Sequence, residues 1–253
     1  MMKRTVSMST KKAKKQNRKT NISMSAKDIK LQLKKGLDSY MAGHFDKAQE
    51  YWLPLAEVGD SEAEAWIGSL YANGDGVEIN DSTAFKWYLR SAEGGNVQAQ
   101  NNVGAMYAMG NGINKNLSKS VVWFERAAKA GDPNSQFNLA CLLSDSTSGD
   151  IEKDLSAAAK WYRSAAENGH YPSQARLGHM YSIGQGIKKD RVQAYVWLSL
   201  AAQHGIGTAL NALEALAKQM STEEKSEAMN LFELWRGKTA GNAGPSRITP
   251  LPA

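Results

Sequence analysis

The sequence has little of what disulfide-linked, membrane or metal-dependent proteins use. It contains one cysteine, Cys141, and four histidines in 253 residues. A single cysteine excludes an intramolecular disulfide framework, which favours a reducing compartment. No apolar run reaches the ~18 residues that a membrane-spanning helix requires. Residues 1–25 also lack the apolar segment of a secretory signal peptide. From these absences we expect a cytoplasmic protein.

Charge is distributed unevenly along the chain. The net charge of +6 is the sum of +11 on residues 1–35 and −5 on residues 36–253. Residues 1–25 are rich in Lys and Ser and show no apolar periodicity, so we expect a disordered basic tail. Such a tail is a solvated segment, a targeting segment, or a weak contact for nucleic acid or an anionic membrane surface. Residues 36–253, the body of the protein, are mildly acidic, so the high isoelectric point does not make the body a nucleic-acid-binding surface.

What the chain does contain is a repeat. Its skeleton is A-Q-x-x-(V/L)-G-x-x-Y, then G-x-G-(V/I), then W-(Y/F)-x-x-A-A-x-x-G, with copies that begin at Ala63, Ala99, Ser135 and Ser173. Each copy ends in a glycine, and an aromatic residue stands eight positions before it. With Gly59, which ends the hairpin before the first copy in the same way, these glycines lie at intervals of 36, 36, 38 and 36, and they are Gly59, Gly95, Gly131, Gly169 and Gly205. A period of this length is typical of a helical solenoid.

Each element of the skeleton has a role in a helical hairpin. Polar residues such as Asp60 and Asn80 stand where they can cap the first and second helix. The small residue at Gly104 allows the partner helix to approach closely, and the G-x-G pair allows a turn with positive φ. The third copy departs from the pattern, with Ala140, Leu143 and a loop at 144–149 that is two residues longer. That loop is either tolerated drift or an insertion for specificity.

These residues resemble Sel-1-like repeats, which are relatives of tetratricopeptide repeats with longer loops. The resemblance implies an all-α, right-handed α-solenoid that serves as an adaptor or scaffold for protein complexes. We expect a capping hairpin over 26–60, four repeats, capping helices over 206–236 and a flexible tail over 237–253. The expected repeats span 61–95, 96–131, 132–169 and 170–205. In the C-terminal cap, Ser221 and Glu224 form a capping box, and Met229, Phe232 and Trp235 form an apolar stripe.

The resemblance also implies that the first helix of each hairpin faces the concave surface, which is where we expect a protein or peptide ligand. Asn102 and Asn138 can clamp a peptide backbone, Arg176 can pair with a carboxylate, and Trp66 offers an aromatic anchor. The alternative is that these positions merely tolerate solvent. The full candidate set is Trp66, Asn101, Asn102, Phe137, Asn138, Arg176 and His179.

No catalytic, metal or cofactor site is expected. His170 occupies the position of the helix caps Asp60 and Asn96, and Cys141 aligns with small packing residues. The G-x-G elements follow helices and lack the Walker lysine, so they are not phosphate loops. Some Sel-1-like proteins are cysteine-rich and linked to β-lactam binding or hydrolysis, but this chain lacks their paired cysteines. A non-enzymatic interaction scaffold is therefore the preferred interpretation, and the rivals are a polyanion adaptor and a β-lactam-binding relative.

Overall fold

The computed structural model describes residues 24–145 and 151–239, and every regular element in these ranges is an α-helix. The helices are α1 Ala26–Met41, α2 Phe45–Glu57, α3 Ser61–Asn73, α4 Asp81–Glu93, α5 Val97–Met109, α6 Leu117–Lys129, α7 Pro133–Ser144, α8 Leu155–Glu167, α9 Tyr171–Ile183, α10 Arg191–Gln203, α11 Gly207–Ala217 and α12 Thr222–Thr239. From α1 to α11 each helix packs against the next, and α12 packs against α10. The expected all-α helical repeat fold is confirmed.

The predicted helix caps are present. Asp60, Asn96 and Asp132 accept hydrogen bonds from the backbone N–H three residues later, at 2.8, 2.9 and 2.6 Å. The second helices begin in the same way at Asn80, Asn116, Asp154 and Asp190. Each cap satisfies a backbone donor that the helix itself cannot satisfy, which fixes where the helix begins.

Small residues set the spacing of the two helices in a hairpin. A Cβ atom added at Gly104 would lie 2.6 Å from the Phe124 ring, and one at Gly178 would lie 2.7 Å from Leu198. The same contact occurs in the first hairpin, where a Cβ at Gly36 would lie 2.2 Å from Trp52. In the first hairpin, as in these repeats, a glycine therefore lets a large side chain of the partner helix approach closely, which the sequence analysis did not identify.

The loop glycines join one repeat to the one before it. Gly110 ends α5 with φ 84°, and its N–H donates to the Met106 carbonyl at 2.8 Å. Gly112 has φ 68°, and a Cβ there would lie 2.2 Å from the carbonyl oxygen of Asp81, at the start of α4. Only glycine combines this conformation with this close approach.

The same side-chain hydrogen bond recurs between successive hairpins. Gln100, Gln136 and Gln174 donate to the carbonyl oxygens of Ala92, Ala128 and Ala166, at 3.2, 3.1 and 3.2 Å. The first repeat has Glu64 at this position, which cannot donate when ionised. There Arg90 donates to the matching carbonyl of Ala56 at 2.9 Å and pairs with Glu64 at 2.7 Å.

The core has two large clusters, one centred on α2–α5 and one spanning α7–α12, and a smaller cluster of Phe124, Ala128 and Leu139 in α6 and α7. At the C-terminal end the capping box is confirmed: Glu224 N–H donates to Ser221 Oγ, and Ser221 N–H donates to the Glu224 carboxylate. In the expected stripe, Phe232 is buried and Trp235 contacts Trp197, whereas Met229 is exposed.

The ends of the described ranges refine the expected boundaries. Met24 packs against the core and Ser25 caps α1, so both belong to the folded body and not to a tail ending at residue 25. Helix α12 continues to Thr239, beyond the expected boundary at residue 236. The expectations for residues 1–23 and 240–253, and for most of the loop at 144–149, lie outside the described residues.

Candidate functional site

A groove runs along the first helices of the central and last repeats. Its central pocket, of about 410 Å³, lies between α5, α7 and the start of α9. Phe124, Phe137, Cys141 and Leu142 contribute apolar surface, and Phe124 also belongs to the small core cluster of α6 and α7. The first helices α5 and α7 contact each other directly, which brings this surface together across repeats.

A second depression continues the groove towards the C-terminus. This C-terminal pocket, of about 390 Å³, lies between α9 and α11 and includes Arg176, His179, Ile206 and Ala209. Phe137 and Pro172 line both pockets. The two pockets are therefore adjacent, with Phe137 and Pro172 between them, and we refer to them together as the groove.

Six of the seven predicted site residues lie in this groove. Asn101, Asn102 and Asn138 line the central pocket, Arg176 and His179 line the C-terminal pocket, and Phe137 lines both. The exception is Trp66, which was expected to be an exposed anchor. Only 6% of Trp66 is exposed, because its ring stacks on Trp52 with 4.8 Å between centroids. It is part of the core and is not available to a ligand.

The asparagines differ in how available they are. Asn101 is buried, and its Oδ1 accepts hydrogen bonds from Ser135 Oγ and Asn138 Nδ2, both at 3.0 Å. Asn102 is also buried, and it hydrogen-bonds Tyr88. Burial raises the pKa of Tyr88, and the hydrogen bonds from Ser69 and Asn102 partly oppose that rise. The expected two-sided amide clamp is therefore reduced to one half-buried amide, Asn138.

His170 belongs to the central pocket, which the sequence analysis did not anticipate. It stands at the N-cap position of α9, but its side chain bonds Ser173 Oγ at 2.8 Å and does not cap the backbone. The centroid of the His170 ring lies 5.0 Å from the centroid of the Phe137 ring. Burial lowers the pKa of His170 to about 4, so the ring is neutral at pH 7. The only sequence signal was its substitution for the Asp or Asn of other repeats.

The groove carries one arginine, Arg176, and no carboxylates. Arg176 and His179 are both exposed, and no Asp or Glu lines either pocket. In the ranges 24–145 and 151–239, Arg176 takes part in no ion pair. Its guanidinium group is therefore free to meet a ligand.

Cys141 contributes packing surface to the groove. Burial raises the pKa of the thiol, and the Tyr162 hydroxyl donates to Sγ at 3.3 Å. The thiol is therefore protonated at neutral pH, which makes it a weak nucleophile. Among the residues that the structure describes, no three His, Cys, Asp or Glu side chains cluster in a way that could hold a metal ion. In the same part of the chain, no helix combines the length and apolar character of a membrane span.

Comparison with known proteins identifies the repeat. The model of the Sel1 repeat family matches residues 61–96, 97–132, 133–170 and 172–206. A protective antigen of uropathogenic Escherichia coli strains, c5321, which displays an SLR fold, aligns with 87% of this chain at 31% identity and a TM-score of 0.75; this chain spans only 50% of that protein. A Sel1 repeat protein from Oxalobacter formigenes aligns with 84% of this chain and 86% of its own, at 30% identity and a TM-score of 0.67. No curated protein matches the chain.

Proposed function

This chain belongs to the Sel1 repeat family, whose members generally act as protein–protein interaction modules, and we propose that it is a non-enzymatic scaffold that binds an extended peptide or a partner helix in the groove. The observation that carries this proposal is that the two pockets are neighbours along successive first helices and share Phe137 and Pro172. Two adjacent depressions that span several repeats fit a chain-like ligand better than a compact small molecule.

The chemistry of the groove supports the same ligand class. Its lining is mostly apolar, and its polar groups include the amide of Asn138 and the guanidinium of Arg176. Apolar side chains of a ligand contribute affinity by leaving water, and polar groups on the walls fix its orientation. Each pocket, at about 400 Å³, falls in the range of ~300–1,000 Å³ that ligand pockets occupy.

A matched pair of variants tests the groove. Met109 lines the central pocket and is 46% exposed, whereas Val122 lies on α6 outside the groove and is 47% exposed. We expect Met109→Glu to abolish capture of a partner from a lysate of the source cell. Val122→Glu, which places the same charge on an equally exposed apolar site, should leave capture intact. Both proteins should melt within a few degrees of the wild type by circular dichroism.

Capture that survives Met109→Glu, or that both variants lose equally, would place the binding surface elsewhere. The proposal also includes the absence of catalysis, and hydrolysis of a chromogenic cephalosporin by the purified chain would contradict it. A β-lactam-binding relative is the rival that this assay addresses.

The second candidate function is polyanion binding by the Lys-rich N-terminal segment, which the charge of +11 on residues 1–35 favours. The deletion that tests it should remove residues 2–22, because Met24 and Ser25 are part of the folded body. Salt-sensitive binding to nucleic acid or anionic vesicles that this deletion removes would support the second candidate. Partner capture that depends on Met109 should persist in the truncated chain.

A further inference from the structure

We propose that the groove selects an acidic peptide segment, in which an apolar side chain occupies the pockets around Phe137 and a neighbouring Asp or Glu side chain pairs with Arg176. The inference rests on the proposed function and names the chemistry of its ligand. The carboxylate is that of a side chain within the segment and not the chain terminus of the partner.

The groove differs in charge from the rest of residues 36–253. Residues 36–253 carry a net charge of −5, with twenty-four acidic residues. None of those carboxylates lines either pocket, whereas Arg176 and His179 do so and are exposed. A neutral-to-cationic furrow in an acidic body attracts anionic segments and repels basic ones, because like charges brought together on binding cost affinity.

Arg176 forms no ion pair within residues 24–145 and 151–239. The other five arginines in these ranges each have a partner: Arg90, Arg191 and Arg236 pair with glutamates, and Arg126 and Arg163 lie over the rings of Trp123 and Tyr181. The charge of Arg176 also reaches the floor of the central pocket, where it opposes the rise that burial causes in the pKa of Cys141. An arginine left unpaired beside an apolar floor is well placed for a charge-assisted hydrogen bond to a carboxylate.

Arg176 does not stand at an end of the groove, since Phe137 lies on one side of it and residues of α11, among them Thr208 and Ala212, line the other. A peptide that reaches Arg176 therefore has groove surface on both sides, as an internal segment needs. His170, neutral at pH 7, adds apolar ring surface beside Phe137.

Selection from a displayed library of random peptides on the full chain tests this inference. We expect the selected peptides to carry Asp or Glu beside Leu, Ile or Phe, in any position of the peptide. Fluorescence polarisation with a labelled selected peptide should show about tenfold weaker binding when its acid is changed to the amide. Arg176→Gln should weaken binding of the original peptide by a similar factor. A peptide with an amidated C-terminus should bind as tightly as the same peptide with a free C-terminal carboxylate.

Charge reversal makes the test specific. Arg176→Glu should bind the acidic peptide more weakly than Arg176→Gln does, and it should bind the peptide with Lys in place of the acid more tightly than the wild type does. Lys86→Glu makes the same change of charge at an exposed site on α4 and should alter neither affinity by more than about twofold at physiological salt.

The outcomes separate this inference from the proposed function. Selected peptides that need Met109 but show no preference for acids, or whose binding ignores Arg176, overturn the inference and leave a groove-binding scaffold. Loss of binding on amidation of the peptide terminus overturns it in favour of a terminal carboxylate. Peptides that bind Met109→Glu as well as wild type, or a selection that yields none, overturn both.

Discussion

Arg90 replaces a hydrogen bond that the other repeats make with glutamine, and its removal tests that interpretation. In the later repeats, Gln100 and its counterparts donate to a carbonyl of the preceding hairpin. In the first repeat, Arg90 supplies the donor to the Ala56 carbonyl and neutralises Glu64, whose side chain is only 4% exposed. Arg90→Met leaves a buried carboxylate and a carbonyl without their cation.

The expected cost follows from these contacts. Removing one partner of a fully buried ion pair costs about 3–5 kcal/mol. The side chain of Arg90 is 45% exposed, so water can reach part of the vacated site, and we expect about 2–3 kcal/mol. For a chain of this size that loss lowers the melting temperature by roughly 5–10 °C.

The double mutant makes the prediction specific. Adding Glu64→Gln to Arg90→Met recreates the glutamine of the other repeats and should recover most of the lost stability. Arg126→Met is the matched control, because Arg126 stacks on Trp123 as Arg90 stacks on Trp87, but Gln100 occupies the position of the buried acid. Thermal melts in which Arg126→Met costs as much as Arg90→Met, or in which Glu64→Gln rescues nothing, would refute the reasoning.

The pH dependence has a definite sign. Burial raises the pKa of Glu64, and Arg90 opposes that rise, so Arg90→Met should raise the folded-state pKa further. A carboxyl whose pKa is higher in the folded state than in the unfolded state stabilises the fold at low pH, and this contribution is lost as pH rises through the folded pKa. Arg90→Met should therefore cost less at about pH 4 than at pH 7, and the double mutant should not show this difference.

Two further predictions concern packing and reactivity. Gly104→Ala should lower the free energy of unfolding by about 1–3 kcal/mol in denaturant titrations, because its Cβ would overlap the Phe124 ring. The control is Gly237→Ala in α12, whose Cβ meets nothing within 4 Å and which should be neutral or stabilising. Equal losses of stability in the two variants would contradict this account. In the folded protein at mildly alkaline pH, Cys141 should react with a disulfide reagent far more slowly than a free thiol does, because burial raises the pKa of Cys141. In denaturant it should react at the ordinary rate of a free thiol. Equal rates in the folded protein and in denaturant would show that the thiol is exposed.

Features that depend on nearby sequence could be predicted from the sequence, and the structure confirms them. The caps at Asp60 and Asn116 involve a side chain and a backbone group three residues apart, so the local sequence determines them. The contact of Gly104 with Phe124 is set by the fixed length of the hairpin. Gly36 makes the same contact, but the short turn between α1 and α2 shifts it out of the period, so it was missed.

Features that depend on what a neighbouring hairpin supplies could not be predicted in this way. The Arg90–Glu64 pair joins two helices, and it makes sense only once Ala56 of the preceding hairpin is seen to need a donor. The burial of Asn101 arises from Ser135 and Asn138 in the next repeat. A repeat pattern aligns such residues with their counterparts, but it does not show which of them a neighbour covers.

One aligned position shows how a neighbouring hairpin, by covering a side chain, decides where a ligand can bind. Trp66, Asn102, Asn138 and Arg176 occupy the same place in successive first helices, yet they pass from the core to the surface along the chain. Tyr40 and Trp52 of the capping hairpin cover Trp66, and Asn102 is buried and hydrogen-bonds Tyr88. Asn138 is half-buried, and Arg176 is exposed. The period therefore sets the position of each side chain on its helix, and the preceding hairpin sets whether that side chain can be reached. For this reason we expect a ligand to contact the groove from α5 to α11 and to leave α3 untouched.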